Sequence, residues 1–198
     1  MDGTPTTPAP EDVHILIGNL AEELTRKGYL FATAESCTGG MIAALCTDMA
    51  GSSAWFAGGV IAYANHVKIR ILNVPAATLE QEGAVSEAVV RHMAHGALSL
   101  CNAQAAIAVS GVAGPSGGTP QKPVGTVCIA WAHIAEHNAV HVIAQQFRFP
   151  GNRSAVRLAA ARESLAGMLH MLQKTAARSP HPSGANAKAP SGGNVIRK

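Results

Sequence analysis

Apolar residues recur every three or four positions in three long segments of the chain, which is the spacing of one buried face of an α-helix. The first segment ends at Gly28, the second begins after Ser86 as its N-cap, and the third extends from about residue 152 to residue 174. These segments predict three long amphipathic helices. The residues expected to face inward are Val13, Leu16, Ile17, Leu20 and Leu24 in the first, Val90, Met93, Ala97 and Leu100 in the second, and Leu158, Ala161, Leu165, Leu169 and Leu172 in the third.

Short runs rich in Val, Ile and Ala lie between the helical segments and predict the strands of a sheet. The last two runs flank Glu136-His137-Asn138 and predict a hairpin. Helices that alternate with strands early, followed by an antiparallel pair, predict an α/β fold: a layered α/β/α sandwich with a mixed sheet. Strands are expected over residues 29–34, 55–63, 105–109, 125–132 and 140–149, and two shorter helices over residues 41–49 and 65–72, the second with Asn65 as its N-cap.

Composition predicts one folded domain between two tails. Of the 198 residues, 47% are hydrophobic but only 4% are aromatic, so the core must consist mainly of Ala, Val, Ile and Leu. Residues 1–10 and 179–198 are rich in Pro, Gly, Ser, Thr and Ala, a composition that cannot bury a core. We therefore expect a flexible leader over residues 1–10, a folded domain over 11–178 and a disordered tail over 179–198.

The charges and cysteines narrow the class of protein. The net charge of +3 comes from scattered Lys and Arg residues, which disfavours direct nucleic-acid binding. Cys37, Cys46, Cys101 and Cys128 form no CxxC pair, and the histidines lack the cysteine or carboxylate partners of a zinc site. The sequence shows no signal peptide and no apolar run of membrane-spanning length. We expect a cytoplasmic protein with reduced thiols, no membrane contact, no metal and no cofactor.

Residues 33–40 combine a reactive side chain with a tight turn. The segment reads Thr-Ala-Glu-Ser-Cys-Thr-Gly-Gly and joins a predicted strand to a predicted helix. Ser36 is a potential nucleophile if residues 37–40 form the first helical turn, whose open N–H groups would stabilise an oxyanion. Cys37 is a rival nucleophile. The same pattern is typical of a serine that only caps the helix, so the segment alone leaves both interpretations open.

A serine nucleophile needs a base. His66 has no acid nearby in the sequence to orient it. If Asn65 caps the next helix, Lys68 lies in its first turn, where the helix dipole and partial burial lower the pKa of its ammonium group. Tyr63 could then relay a proton between Lys68 and the serine. A hydrolase of this Ser-Tyr-Lys or Ser-Lys type needs no histidine and no metal, and a surface lysine is the competing interpretation.

A Gly-rich loop over residues 110–125 follows a buried strand. In open α/β sheets, ligands bind beyond the carboxyl ends of the strands, where this loop is expected. Its N–H groups, with Lys122, could hold a phosphate, although the loop lacks the Walker ending and a plain surface connection fits equally well. Arg153, at the start of the last helix, either contacts an anionic ligand or pairs with a carboxylate.

Seven stretches of the chain together resemble the CinA C-terminal domain family, the stand-alone nicotinamide-nucleotide amidohydrolases. They occur in the family's order and cover nearly all of residues 11–174, with one departure, Asn152, where family members usually have Asp. The matching stretches are Thr33-Ala-Glu-Ser-Cys-Thr-Gly-Gly40, Ala50-Gly-Ser-Ser-Ala-Trp-Phe56, Tyr63 with Asn65 and Lys68, Gly83-Ala-Val-Ser86, Ser110-Gly-Val-Ala-Gly-Pro-Ser-Gly-Gly118, Lys122-Pro-Val-Gly-Thr126 and Phe149-Pro-Gly-Asn-Arg153.

The resemblance implies hydrolysis of the carboxamide of nicotinamide mononucleotide to nicotinic acid mononucleotide and ammonia. It implies a catalytic serine, tyrosine and lysine, which fall on Ser36, Tyr63 and Lys68. A homo-oligomer is expected, with a dimer favoured. The alternatives are an amidase for another small amide and a non-catalytic module associated with competence or DNA damage. The expected oxyanion donors are Thr38, Gly39 and Gly40, and the expected substrate contacts are Glu35, Ser110, Gly111, Gly114, Gly117, Gly118, Lys122 and Arg153.

Overall fold

Six helices and five strands make up the computed structural model, which describes residues 10–174. The predicted tail over 179–198 and residues 1–9 of the predicted leader lie outside the described residues, and Pro10 already belongs to the first helix. The helices are α1 (Pro10–Lys27), α2 (Met41–Thr47), α3 (Asn65–Leu72), α4 (Ala76–Glu82), α5 (Glu87–Leu100) and α6 (Arg153–Lys174). The strands are β1 (Phe31–Glu35), β2 (Phe56–Ile61), β3 (Ala105–Gly111), β4 (Thr126–Ile134) and β5 (Val140–Arg148).

The five strands form one mixed sheet in the order β2-β1-β3-β4-β5, which confirms the predicted sheet. Strand β1 is parallel to both β2 and β3, whereas β4 is antiparallel to β3 and β5 is antiparallel to β4. Glu35, the last residue of β1, is in register with Ile61 on one side and Val109 on the other. The residues that follow these three strands therefore meet at one edge of the sheet.

Two hydrophobic cores cover the two faces of the sheet and give the predicted three layers. The first lies under α1, α2 and α6 and contains the large residues of alternate strand positions, such as Phe31 and Ile107. The second lies under α3, α4 and α5 and is built from small strand residues, such as Ala32 and Ala106. Because Ala leaves little bulk above the sheet, α5 can approach the strands closely.

Close packing between α5 and α3 depends on Gly96. A Cβ atom at this position would collide with the backbone oxygen of Leu72, the last residue of α3. Since α3 carries Lys68, this contact fixes the helix that delivers the predicted base. Within the described residues, no helix has both the length and the apolarity needed to cross a membrane.

Three details of the sequence-based prediction are wrong. Ala64, not Asn65, is the N-cap of α3, and no side chain caps that helix. Leu100 is 56% exposed because α5 ends at this residue, beyond the buried face. Helix α4 was not predicted, because its seven residues include a single buried apolar side chain, Leu79, and therefore show no periodicity. The Ser86 cap is confirmed, since its hydroxyl accepts a hydrogen bond from the N–H of Val89.

Candidate active site

Ser36 directly follows β1, at the edge where the parallel strands end. Its N–H donates to the carbonyl of Val109 on β3 at 3.0 Å, and the N–H of Ala62 donates to the carbonyl of Glu35 at 2.8 Å. The serine is thus fixed between both neighbouring strands and is almost buried. It is not a helix cap, because α2 begins five residues later with Gly40 as its N-cap. The capping interpretation of Ser36 is therefore wrong.

Lys68 reaches Ser36 from α3. Its Nζ atom lies 3.2 Å from Ser36 Oγ, 2.8 Å from the carbonyl oxygen of Ala62 and 3.0 Å from that of Tyr63. The residue is only 1% exposed, so the interpretation of Lys68 as a surface lysine is wrong. Among the described side chains it forms no ion pair. Burial, which disfavours the charged form, lowers the pKa of its ammonium group.

Tyr63 contributes to this arrangement through its backbone rather than its side chain. The carbonyl group accepts a hydrogen bond from Lys68, while the phenol is largely exposed and accepts one from Nη2 of Arg153 at 3.3 Å. The phenol does not lie between Lys68 and Ser36, which contact each other directly. The predicted relay through Tyr63 is thus not the arrangement in the structure, and a catalytic role for this residue stays a prediction.

Glu35 closes the N-terminal end of α2 from inside the protein. Its carboxylate accepts hydrogen bonds from the N–H groups of Gly40 at 2.9 Å, Ile42 at 3.1 Å and Ala43 at 2.8 Å. Glu35 is 1% exposed. Both carboxylate oxygens are occupied by the backbone, so Glu35 has a structural role in the structure, and its expected substrate contact stays a prediction.

The expected oxyanion donors are also occupied or covered. Residues 37–40 form a turn that precedes α2 instead of its first helical turn. The N–H of Gly40 donates to Glu35, and that of Gly39 donates to the carbonyl of Ser36 at 3.0 Å. Thr38 is fully buried. The expectation of three open N–H groups on Thr38, Gly39 and Gly40 is thus wrong in this structure.

The Gly-rich loop places its predicted ligand groups in structural contacts. Ser110 is buried and its hydroxyl donates to the carbonyl of Ala84 at 2.7 Å. Lys122 donates to the carbonyl of Glu82, the last residue of α4, at 2.6 Å. Both side chains tie the loop to the segment between α4 and α5. They are therefore not free to serve as the predicted substrate contacts without breaking these bonds.

The glycines of the loop have different surroundings. Gly111 pairs with β4, and a Cβ atom there would lie 2.7 Å from a methyl group of Val127. Gly114 is buried, and its carbonyl accepts a hydrogen bond from Nη1 of Arg153 at 2.8 Å. Gly117 and Gly118 are exposed in the loop. Gly114 is thus tied to a side chain near the site, and a direct substrate contact of any of these glycines stays a prediction.

The start of α6 adds a residue that the sequence analysis missed. Arg157 lies one helical turn after Arg153, and its Nη2 atom donates to the carbonyl of Thr38 at 2.7 Å. The spacing of the two arginines was visible in the sequence, but the contact joins residues 119 positions apart. Asn152 caps α6 by accepting from the N–H of Ala155 at 3.0 Å. An Asp at this position could make the same cap.

Cys37 does not compete with Ser36 as a nucleophile in this environment. Burial raises the pKa of its thiol to about 11, so the thiol is protonated at neutral pH. Among the residues that the structure describes, no group of three or more His, Cys, Asp or Glu side chains could hold a metal ion. The groups assembled for chemistry at this edge are therefore Ser36 and Lys68, with arginines beside them.

The fold and the site define an α/β protein that holds a buried serine–lysine pair at the carboxyl ends of parallel strands. The family model described as the CinA C-terminal domain matches residues 14–172, and the chain belongs to this family. Over 153 residues it is 49% identical to the nicotinamide-nucleotide amidohydrolase PncC of Enterobacter agglomerans, an alignment that covers 77% of this chain and 91% of that protein. Identity to the nicotinamide-nucleotide amidohydrolase PncC of Pseudomonas putida is 44% over 161 residues, 81% of this chain and 98% of that protein.

Solved structures show the same fold. The competence/damage inducible protein CihA from Agrobacterium tumefaciens superposes with a TM-score of 0.77 at 39% identity, covering 86% of this chain and 100% of that one. Some relatives are longer: the chain covers 33% of a CinA-like protein of Mycolicibacterium vanbaalenii, to which it is 48% identical over 147 residues.

Proposed function

We propose that this protein hydrolyses the carboxamide of nicotinamide mononucleotide to nicotinic acid mononucleotide and ammonia. The names of the two relatives that it nearly covers, both nicotinamide-nucleotide amidohydrolases, support this substrate class. The observation that carries the chemistry is the contact between Lys68 Nζ and Ser36 Oγ inside the protein. Amide hydrolysis through a serine requires such a base, because a neutral hydroxyl is a weak nucleophile.

The three oxygen atoms around Lys68 Nζ fit both of its protonation states: a charged ammonium would donate to all three, whereas the neutral amine, which we assign to the start of the reaction, binds them as follows. A neutral amine has two N–H donors and one lone pair. The carbonyls of Ala62 and Tyr63 can only accept hydrogen bonds, so they take the two N–H groups. The lone pair is then left for the third neighbour, the hydroxyl of Ser36. Burial without an ion-pair partner among the described side chains lowers the pKa of the Lys68 ammonium group, and the proposal takes the neutral amine as the form that accepts the proton of Ser36.

The reaction then proceeds in two halves. Lys68 takes the proton of Ser36 as Oγ attacks the carboxamide carbon, and the tetrahedral intermediate expels the amine, which leaves as ammonia after receiving that proton from Lys68. A nicotinoyl ester of Ser36 remains. Water, deprotonated by Lys68, attacks the ester carbon, and the proton returns to Ser36 as the C–O bond breaks. The acid product is released and Lys68 is again neutral.

An ammonia-release assay on a panel of pyridine nucleotides tests this proposal. The intact protein should release ammonia from nicotinamide mononucleotide faster than from free nicotinamide. Ser36→Ala and Lys68→Met should each lower kcat by about a thousandfold or more, because each removes one member of the proton-transfer pair. Two exposed residues away from the site supply matched controls, Ser99→Ala and Lys174→Met, which should keep full activity.

Three outcomes contradict the proposal in different ways. Ammonia release by Ser36→Ala at the rate of the intact protein would exclude Ser36 as the nucleophile. Absence of release from every pyridine nucleotide would exclude the activity itself and favour a non-catalytic module. Equal turnover of nicotinamide mononucleotide and free nicotinamide would point instead to an amidase for another small amide.

A further inference from the structure

We infer that Arg153 and Arg157 together bind the phosphate group of the substrate. This inference rests on the proposed function, and it moves the phosphate from the Gly-rich loop to the first turns of α6. The two guanidinium groups project from one face of the helix, since residues four apart are neighbours on a helix surface. Arg153 contacts Gly114 and Tyr63, and Arg157 contacts Thr38. They therefore lie beside the segments that follow β1, β2 and β3.

Neither arginine has a negative partner in the described part of the chain. The hydrogen-bond acceptors of the two side chains within the described residues are neutral oxygens: two backbone carbonyls and one phenol. No ion pair among the described side chains includes either residue. The buried Nε atom of Arg157 has no hydrogen-bond partner among residues 10–174. Two cations four residues apart on α6 thus have no counterion among the described residues.

The position of the two arginines on α6 adds two further reasons to expect a bound anion. Like charges four residues apart on a helix repel each other. The N-terminal end of a helix also carries partial positive charge, which disfavours cations and favours anions. The first turn of α6 contains no acidic residue. A bound phosphate would offset the repulsion and the unfavourable dipole together, and guanidinium groups are suited to bind its oxygens in pairs.

The contacts of Arg157 place this anion site next to the turn that carries Ser36. Its partner, the carbonyl of Thr38, belongs to the turn that starts at Ser36. A Cβ atom added at Gly39 in the same turn would lie 3.5 Å from Nη2 of Arg157. The guanidinium thus borders the turn that carries the nucleophile. A substrate held there by its phosphate would be restricted in where it can present its carboxamide.

The groups that the sequence favoured for phosphate binding have other partners. Lys122 is bonded to the last carbonyl of α4, and Ser110 to the carbonyl of Ala84. Lys122, like the arginines, donates to a neutral carbonyl and keeps its charge, but its partner lies at the end of α4. Arg157 instead contacts the turn that starts at Ser36, so the arginine pair is the better placed of the two for a substrate held at the nucleophile.

A comparison of two substrates tests the inference. Nicotinamide riboside has the carboxamide and ribose of nicotinamide mononucleotide but no phosphate. Arg157→Gln removes the charge and keeps an amide that can donate to Thr38. We expect it to lower kcat/KM for the mononucleotide by about tenfold to a hundredfold, and kcat/KM for the riboside by less than about threefold. Arg26→Gln is the control. It removes an exposed arginine near the end of α1, before β1 begins, whereas Ser36 follows the end of β1, and it should change kcat/KM for neither substrate.

Two results would overturn the inference. If Arg157→Gln lowers kcat/KM equally for both substrates, Arg157 positions the Ser36 turn and does not bind phosphate. If it changes neither value, Arg157 has no role in the reaction. Arg157→Lys distinguishes charge from geometry: it should recover part of the preference for the mononucleotide, because a phosphate anchor needs the charge, whereas an equal loss on both substrates again contradicts phosphate binding.

Binding of inorganic phosphate separates this inference from the proposed function. Titration calorimetry should detect phosphate binding to the intact protein and to Ser36→Ala, and Arg157→Gln should weaken it by about tenfold or more. Binding with this dependence but without turnover of any amide would leave the anion site standing and remove the proposed reaction. Phosphate binding that is absent, or unchanged in Arg157→Gln, would remove the anion site even if the protein is an active amidohydrolase.

Discussion

The N-terminal ends of α2 and α6 lie at the same edge of the sheet, but groups of opposite charge occupy them. At α2, the carboxylate of Glu35 accepts hydrogen bonds from three backbone N–H groups. At α6, Asn152 supplies a neutral cap, and the charged residues that follow are Arg153 and Arg157. Helix N-termini favour anions. The protein supplies this anion at α2, through Glu35, and the described residues supply none at α6. An anionic ligand at this edge is therefore better sought at α6 than at α2.

The largest effect should follow removal of the internal anion. Glu35→Ala leaves three N–H groups at the start of α2 without acceptors, and we expect it to lower the free energy of unfolding by about 3 kcal/mol or more. Urea unfolding monitored by circular dichroism measures this change. Glu35→Gln, which keeps an acceptor oxygen, should fall between Glu35→Ala and the intact protein. Glu22→Ala, on the exposed side of α1, is the control, and its free energy of unfolding should stay within about 0.5 kcal/mol of the intact value.

The corresponding change at α6 tests the comparison itself. Arg153→Gln removes a cation that has no described carboxylate partner, so its free energy of unfolding should stay within about 1 kcal/mol of the intact value. Equal losses from Glu35→Ala and Arg153→Gln would show that both charges serve the fold, and the distinction between the two helix ends would be lost.

Local patterns in the sequence were sufficient for the elements with strong periodicity, and they named Ser36 and Lys68 as candidates, which the structure places 3.2 Å apart. They could not show how Glu35 is used. A carboxylate that ends a strand before two glycines fits a substrate contact as well as an internal cap, and only the fold brings the N–H groups of α2 to it. Arg157 was missed for the same reason. Its partner, Thr38, lies far away in the sequence, so no local pattern indicates the contact.

A substitution outside the site, at Gly96, should shift α3, the helix that carries Lys68. Gly96→Ala puts a methyl group against the backbone of Leu72 at the end of α3, where even the Cα atom of Leu72 is 2.8 Å from the new carbon. We expect a loss of about 2 kcal/mol in the free energy of unfolding, measured with urea, because packed backbones must separate. We also expect a lower kcat in the ammonia assay, since α3 carries the base. Activity that is unchanged despite the lost stability would show that Lys68 does not depend on this packing.

Gly18→Ala supplies the matched control for that change. Gly18 also lies within a helix, α1, but a Cβ atom there meets only the end of the Met49 side chain at 3.8 Å, an ordinary contact. This variant should gain up to about 1 kcal/mol of stability, because Ala is the better helix former, and should keep full activity.

Lys68 differs from the arginines of α6 because it is buried without an ion pair among the described side chains. The pH dependence of stability tests what this burial does to its protonation. Burial lowers the pKa of Lys68 below its ordinary value of 10.5, so the folded protein loses this proton at a lower pH than the unfolded chain. Between the two pKa values the unfolded chain binds more protons, and the free energy of unfolding rises with pH, by at most about 1.4 kcal/mol per pH unit. Urea unfolding across alkaline pH should show this rise in the intact protein and not in Lys68→Met. A rise of the same size in both proteins would mean that Lys68 is charged when folded, and it could not then act as the base.

The neutral cap of α6 has a small expected effect on stability and a second signature with phosphate. Asn152→Ala removes the acceptor for the N–H of Ala155, and we expect the free energy of unfolding, measured with urea, to fall by about 1 kcal/mol. If the arginines bind phosphate, this variant has a second signature. A bound phosphate lies near the same helix end and offsets part of the lost cap, so the difference in stability from the intact protein should shrink when inorganic phosphate is added. A difference that stays the same with phosphate would place the anion away from this helix end, and the contrast between α2 and α6 would then concern the fold alone.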